Sequence, residues 1–249
     1  YIIISKSGNT IETLVNMSLL KKISFNRSNT IIISEKKNNI LYNFSKRKKI
    51  NFIEHKKYIG GRYSVLSETG MVPAFLMGLQ VKSFRKNLLK YFKKNKKILL
   101  ENVLKISQIY SSNKIKNIIC FNYCSRLSSF QYWYQQLLAE SLGKKNKGLL
   151  PVISHAPKDH HSLLQLYLDG PKDKMFYIFS GESVNKSKVE RNLFRDDYTL
   201  INNKSLSQIL HSQRKAFIKV LKKKNIPFRE IHISNYSEKT MGEIFAYFM

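Results

Sequence analysis

Tyr1-Ile2-Ile3-Ile4-Ser5-Lys6-Ser7-Gly8-Asn9-Thr10-Ile11-Glu12-Thr13-Leu14 opens the chain, and its reading decides the fold. Tyr1 to Ile4 reads as a fully buried strand. Ser5 to Thr10 is small and polar, and an amphipathic run with Ile11, Leu14 and Val15 follows. Strand, tight loop and helix start aim backbone N–H groups and the positive end of a helix at whatever lies above them, which suits a phosphate. Ser5, Ser7 and Thr10 add hydroxyls, and Lys6 a mobile charge. Asn9 with Glu12 three residues on has the spacing of a capping box. On these residues alone, a polar turn with no ligand is an equal alternative.

Outward from this stretch the pattern repeats. A helix is expected over 11–22, a strand over Thr30–Ser34, a Lys-rich helix to Lys49 and a strand at Asn51–Ile53. Strands alternating with helices at this spacing argue for a parallel sheet covered by helices. Ile59 to Val65 reads as a glycine-hinged loop, and Met71 to Leu79 as a helix with Pro73 in its first turn. A second α/β unit begins near Ser83. It has helices over Leu88–Ser112, Ser128–Gly143, His161–Leu168 and Ser205–Lys223, and strands at Ile118–Phe121 (within Lys116–Tyr123), Leu149–Ser154, Met175–Phe179 and Phe228–Ile233. A last helix starts at Met241. The expectation is an α/β protein of two similar three-layer units with parallel sheets, 1–82 and 83–249.

The chain has 249 residues, 43% of them apolar, which is enough to bury a core. No apolar run reaches the roughly 20 residues of a membrane span, and no signal-peptide pattern is present. The formal charge of +28 raises nucleic acid as a partner. But the lysines are scattered among Asn and Ile, residues that share A/T-rich codons, and no aromatic–basic stacking motif accompanies them. The runs at Lys46–Lys49, Lys93–Lys97 and Lys222–Lys224 read as solvated helix ends and loops. Neither a nucleic-acid nor a membrane partner is expected. Cys120 and Cys124 read as buried free thiols of a reducing compartment, with no third ligand to make a metal site. Because Tyr1 falls inside a strand and Met249 inside a helix, the chain is expected to be part of something longer.

Three further places could carry chemistry. Glu140 sits at the edge of the apolar arc formed by Phe130, Trp133, Tyr134, Leu137 and Leu138. A carboxylate at such an edge tends to a raised pKa, which suits a general base; a boundary Glu paired with Lys144 is the simpler reading by position alone. Arg62 follows Gly60-Gly61, which let the backbone pass close to a ligand, or else make an ordinary surface turn. His161 follows Asp159-His160 at a helix start, where a half-exposed histidine capped by Asp159 is the plain alternative. His55, His155, His211 and His232 read as structural or solvent-facing.

The wording of these stretches adds to the physics. S-K-S-G-N-T-x-E-T resembles the phosphate-binding loop of the sugar isomerase (SIS) domain, in the version of the glucose-6-phosphate isomerase family. Trp133-Tyr-Gln-Gln-Leu-Leu-Ala-Glu-Ser-Leu-Gly-Lys144 is similar to that family's Q-L-x-A-E-S-L-G-K, Gly60 to Ser67 to its G-G-R-[FY]-S-x-x-S, and Asp159 to Leu166 to its D-Q-H-S-L-L-Q-L, with His160 in place of Gln. The resemblance runs in order over essentially the whole chain. It implies two SIS-type units sharing one site and a reversible aldose–ketose isomerisation of glucose 6-phosphate and fructose 6-phosphate. It further implies that Ser5, Lys6, Ser7 and Thr10 hold the phosphate, that Glu140 moves the proton, that Arg62 faces the enediolate, and that His161 assists ring opening from the neighbouring subunit of a cytoplasmic homodimer. No metal or organic cofactor is implied. A family serine loop upstream and a Gln and Lys segment downstream find no match here. A non-catalytic SIS sensor of sugar phosphate and a bifunctional glucose/mannose phosphate isomerase are the alternatives.

Overall fold

The computed structural model describes residues 1–20, 22–182, 187–190 and 200–249. The chain divides into two compact units, Tyr1–Tyr91 together with Ser237–Met249, and Phe92–Tyr236.

In the first unit β1 (Ile2–Ile4), β2 (Ile31–Ser34) and β3 (Asn51–Glu54) form a parallel sheet in the order β1-β2-β3. Ile3 pairs with Ile32, and Ile33 with Ile53. The isoleucine runs are what a sheet covered on both faces requires. α1 (Ile11–Leu19) and α2 (Ile40–Lys48) cover one face, where the core joins Ile3, Ile32, Leu41 and Ile50 with Leu14, Met17 and Phe44 packed against them. The first helix stops short of Lys22; Lys21, inside the expected helix, lies outside the described residues. α2 begins at Asn39, whose side chain accepts the Tyr42 N–H, and ends at Lys49 in the left-handed conformation.

The expected glycine loop is a 3-10 helix, Gly61–Leu66, and it hands over at Ser67 to α3 (Glu68–Leu76). Starting three residues early puts Pro73 in the interior of α3 and not in its first turn. Gly70 makes the early start possible, since a Cβ there would stand 2.0 Å from the Val65 carbonyl oxygen. α4 (Val81–Arg85) follows, then α5 (Leu88–Ser111).

In the second unit β4 (Asn117–Asn122), β5 (Leu150–His155), β6 (Lys174–Gly181) and β7 (Phe228–Ile233) form an all-parallel sheet in the order β5-β4-β6-β7. β6 is buried almost end to end. A 3-10 turn, Ser125–Leu127, leads into α6 (Ser128–Leu142), and α9 (Leu206–Lys223) starts from a Ser205–Gln208 capping box. Phe121, Phe176, Tyr167 and Phe217 form the centre of its core. The expected helix over 161–168 is instead two, α7 (Lys158–Ser162) and α8 (Leu164–Asp169), broken at Leu163.

The last helix, α10 (Glu238–Phe248), packs on α4 within the first unit and does not extend the second, so the expected boundary at 82/83 gives way to a discontinuous first unit. Gly242 is the contact point: a Cβ there would stand 1.8 Å from the Phe84 carbonyl oxygen. In an isolated helix, Gly→Ala stabilises by about 1 kcal/mol. Here the sign reverses: Gly242→Ala is expected to destabilise by about 1–3 kcal/mol, as overpacking does, read as a lower urea midpoint at unchanged slope. A raised midpoint would mean that α10 does not pack on α4.

Candidate functional site

The loop between β1 and α1 gathers three hydroxyls. Ser5 Oγ lies 2.7 Å from Thr10 Oγ1 and 3.5 Å from Ser7 Oγ, and Ser7 Oγ lies 3.4 Å from Thr10 Oγ1. Ser5 is buried, whereas Ser7 and Thr10 are exposed. The Gly8 N–H donates to Ser5 Oγ and the Asn9 N–H to Ser7 Oγ. Gly8 has φ +72°, and a Cβ on it would sit 1.9 Å from Asn39 Oδ1. The expected capping box is absent. Thr10 is the N-cap of α1, without a side-chain bond, and Asn9 Oδ1 accepts the Ile40 N–H at the start of α2. The first N–H groups of α1 thus stand above the hydroxyls, outside the helix ladder. Clustered hydroxyls at a helix N-terminus are suited to an oxyanion with several acceptors.

Lys6 is not the mobile charge expected of it. Its Nζ donates to the Ile59 carbonyl at 2.6 Å and the Lys57 carbonyl at 3.2 Å, and stands 3.7 Å from Glu35. The Lys37 hydrogen bond, with the charges of Lys37 and Lys6 adding to it, holds the Glu35 carboxyl below its ordinary value. Arg62 lies on the 3-10 helix just beyond, its guanidinium 5.1 Å from the Tyr63 ring centroid.

Glu140 and His161 belong to the second unit, at opposite edges of its sheet. α6 starts after the C-terminal end of β4 and runs back for 15 residues, about 22 Å. Gln135 Nε2, midway, already donates to the Pro151 carbonyl at the start of β5. Glu140, in the last turn, therefore stands by the N-terminal edge. His161 lies on α7, which follows the last residue of β5 and so stands at the C-terminal edge. The edges of a six-residue strand are roughly 20 Å apart. Glu140 is exposed, not held at an apolar edge, and its Oε1 accepts from Gln136 Nε2 at 2.7 Å.

His161 is also exposed, and Asp159 does not serve it. The buried Asp159 carboxylate accepts the His155 N–H at 2.7 Å and the Ser162 hydroxyl at 3.0 Å. Burial works to raise the Asp159 pKa, but these bonds prevail and hold it below the ordinary value. His160 is the histidine that faces inward. Its Nε2 is 2.6 Å from Tyr123 Oη and its ring packs edge-on against Phe121 and Phe217. Burial pushes its pKa down.

Sequence reading missed a polar network on the same unit. Arg214, buried on α9, donates to Ser180 Oγ at 2.7 Å and to Glu230, with His211 Nδ1 3.0 Å from its Nη2. Ser180 Oγ also meets His232 Nδ1 at 3.0 Å. These side chains line a cleft of about 640 Å³ beside a second of about 570 Å³ lined by Asn122 to Arg126. An arginine on the apolar side of a helix was the available signal. Cys120 is buried, its thiol pushed up to about 12 by desolvation. Cys124, expected to be buried too, is half-exposed, with Sγ 2.8 Å from Tyr236 Oη. Among the described residues no three His, Cys, Asp or Glu side chains stand together as a metal site would need.

No family model matches the chain. It is 32% identical to a probable glucose-6-phosphate isomerase of Methanococcus maripaludis over 98% of its own length and 57% of that protein. It is 31% identical to the glucose-6-phosphate isomerase of Methanocaldococcus jannaschii over 97% and 62%. The chain thus spans about three-fifths of the length of these relatives. A solved hypothetical protein of Thermus thermophilus superposes over 100% of the chain and 63% of its own, with TM-score 0.86 at 23% identity. A glucose-6-phosphate isomerase of Chlamydia trachomatis superposes over 99% and 52%, with TM-score 0.74 at 18% identity. These two likenesses concern the fold; the sequence likeness to glucose-6-phosphate isomerases runs over nearly the whole chain.

Proposed function

We propose that the protein interconverts glucose 6-phosphate and fructose 6-phosphate. The observation that carries this reading is the Ser5, Ser7 and Thr10 hydroxyl cluster at the N-terminus of α1, in a chain similar to glucose-6-phosphate isomerases over nearly its whole length. The cluster and the adjoining N–H groups hold the phosphate, and Lys6 adds its charge to the loop. Glu140 takes the proton from C2 of the open-chain sugar and returns it at C1. Arg62 faces the oxygen of the cis-enediolate between the two transfers, where a fixed cation acts on charge that develops only in the reaction. The carbon-acid step asks for a positioned carboxylate and a cation, and for no metal or organic cofactor.

The separation of Glu140 from His161 supports a homodimer in which His161 opens the sugar ring in the neighbouring subunit's site. A histidine at the far edge of the sheet from the base is poorly placed for its own chain's Glu140. A cytoplasmic location goes with this reading and with two free thiols.

Conversion of fructose 6-phosphate to glucose 6-phosphate by the chain is the direct assay. Glu140→Gln is expected to lower kcat by about 10³-fold or more, as loss of a general base does; turnover that survives removes Glu140 as the base, and no turnover by the unaltered chain counts against the reading. Arg62→Ala is expected to lower kcat by about 10²–10³-fold with a smaller change in KM. His161 is tested by mixing. Refolded together, inactive Glu140→Gln and His161→Ala chains are expected to recover about a quarter of full activity, since half of the dimers are mixed and half of their sites intact. No recovery would place His161 in its own chain's site.

A further inference from the structure

Lys6 has a second role within this reading of the reaction, and its contacts define it. An ammonium has three donors. Two go to the Ile59 and Lys57 carbonyls, and the Glu35 carboxylate is the third neighbour. The same residue is gripped through its backbone, because the Lys6 carbonyl accepts the Glu35 N–H at 3.0 Å. Lys6 is therefore fixed to the end of β2 at one end and to the loop after β3 at the other. β1 and β3 flank β2, so their ends lie roughly 10 Å apart. Only a long side chain spans that gap, and its compact charge suits a pair of carbonyl oxygens.

The anchored carbonyl of Ile59 lies directly before Gly60-Gly61-Arg62. Two glycines carry the least conformational restriction of their own. A Cβ on Gly61 would meet nothing within 4 Å, and the Ser64 hydroxyl that donates to its carbonyl at 2.6 Å belongs to the same 3-10 helix, so it does not tie the turn to the phosphate loop. We infer that Lys6 is a positioning residue whose side chain clamps the Gly60-Gly61-Arg62 turn to the phosphate loop, and is not itself a ligand of the phosphate. The inference rests on the assignment of Arg62 as the cation facing the enediolate. It makes the placement of that cation depend on a residue of the phosphate loop.

The test uses Lys6→Met in the whole chain, with hydrogen exchange over residues 57–66 and the Kd for inorganic phosphate as readouts. Exchange across 57–66 is expected to rise about tenfold as the clamp is released, while the phosphate Kd rises less than about fivefold. Lys6→Arg, which keeps donors long enough to reach the two carbonyls, should bring exchange back toward the original rate. Unchanged exchange, or a phosphate Kd raised about fivefold or more, overturns the inference. Lys6→Gln, polar but too short to span the gap, replaces Lys6→Met should the latter fail to fold, with the same outcomes. Neither readout needs turnover, so failure of the isomerase reading is seen separately, in the sugar phosphate assay.

Discussion

The approach of Gly8 to Asn39 is the constraint on which the first unit's functional face depends. At φ +72° the backbone of Gly8 turns against the side chain of Asn39, in space that any Cβ would fill. That contact lets one loop serve two helices. The Gly8 carbonyl accepts the Leu41 N–H, Asn9 accepts the Ile40 N–H, and Asn39 accepts the Tyr42 N–H. The polar groups of the loop that point down are thereby used up at the start of α2. The Ser5, Ser7 and Thr10 hydroxyls take no part in that capping and lie against one another instead. A loop already committed on its inner side loses little further freedom when an anion binds, which is how a pre-formed site limits the entropy cost of association.

Much of this was legible in the chain. The isoleucine runs at 2–4 and 31–33 read as buried strands, and their spacing left room for a helix between them, as a parallel sheet needs. The helix read over Ser205–Lys223 stands as α9, to which the structure adds a capping box at Ser205. What failed depended on contacts far away in sequence. Asn9 and Glu12 have capping-box spacing, but the start of α2, about thirty residues on, competes for the Asn9 side chain and wins. Pro73 fitted a first turn only as long as the preceding 3-10 helix was unknown. Leu163, at φ −124° and ψ −13°, breaks a helix that periodicity would run straight through.

The candidate site shows the same divide. Residue types and spacing identified the hydroxyl loop, and family wording pointed to Glu140, Arg62 and His161. Neither could show that Lys6 is tied down or that Glu140 is exposed. His160 is instructive: it stands where the resembled motif has Gln, yet it is the histidine that enters the aromatic core, against Phe121 and Tyr123. Its neighbour His161 is left on the surface, with its ring open to solvent. Side-by-side residues on a short helix point in different directions, and adjacency in sequence says nothing about which one packs.

The discontinuity of the first unit has a consequence for the order of synthesis. α10 belongs with residues made before the second unit, and the whole of Phe92–Tyr236 is translated between the two. A ribosome releases the sheet and both loops of the first unit long before the helix that packs on α4 exists. The second unit, contiguous in sequence, has all its strands in hand earlier and can close first. For that interval the surface of α4 that Gly242 will meet is exposed in the nascent chain, and the long loop to be closed makes its docking a late and slow event.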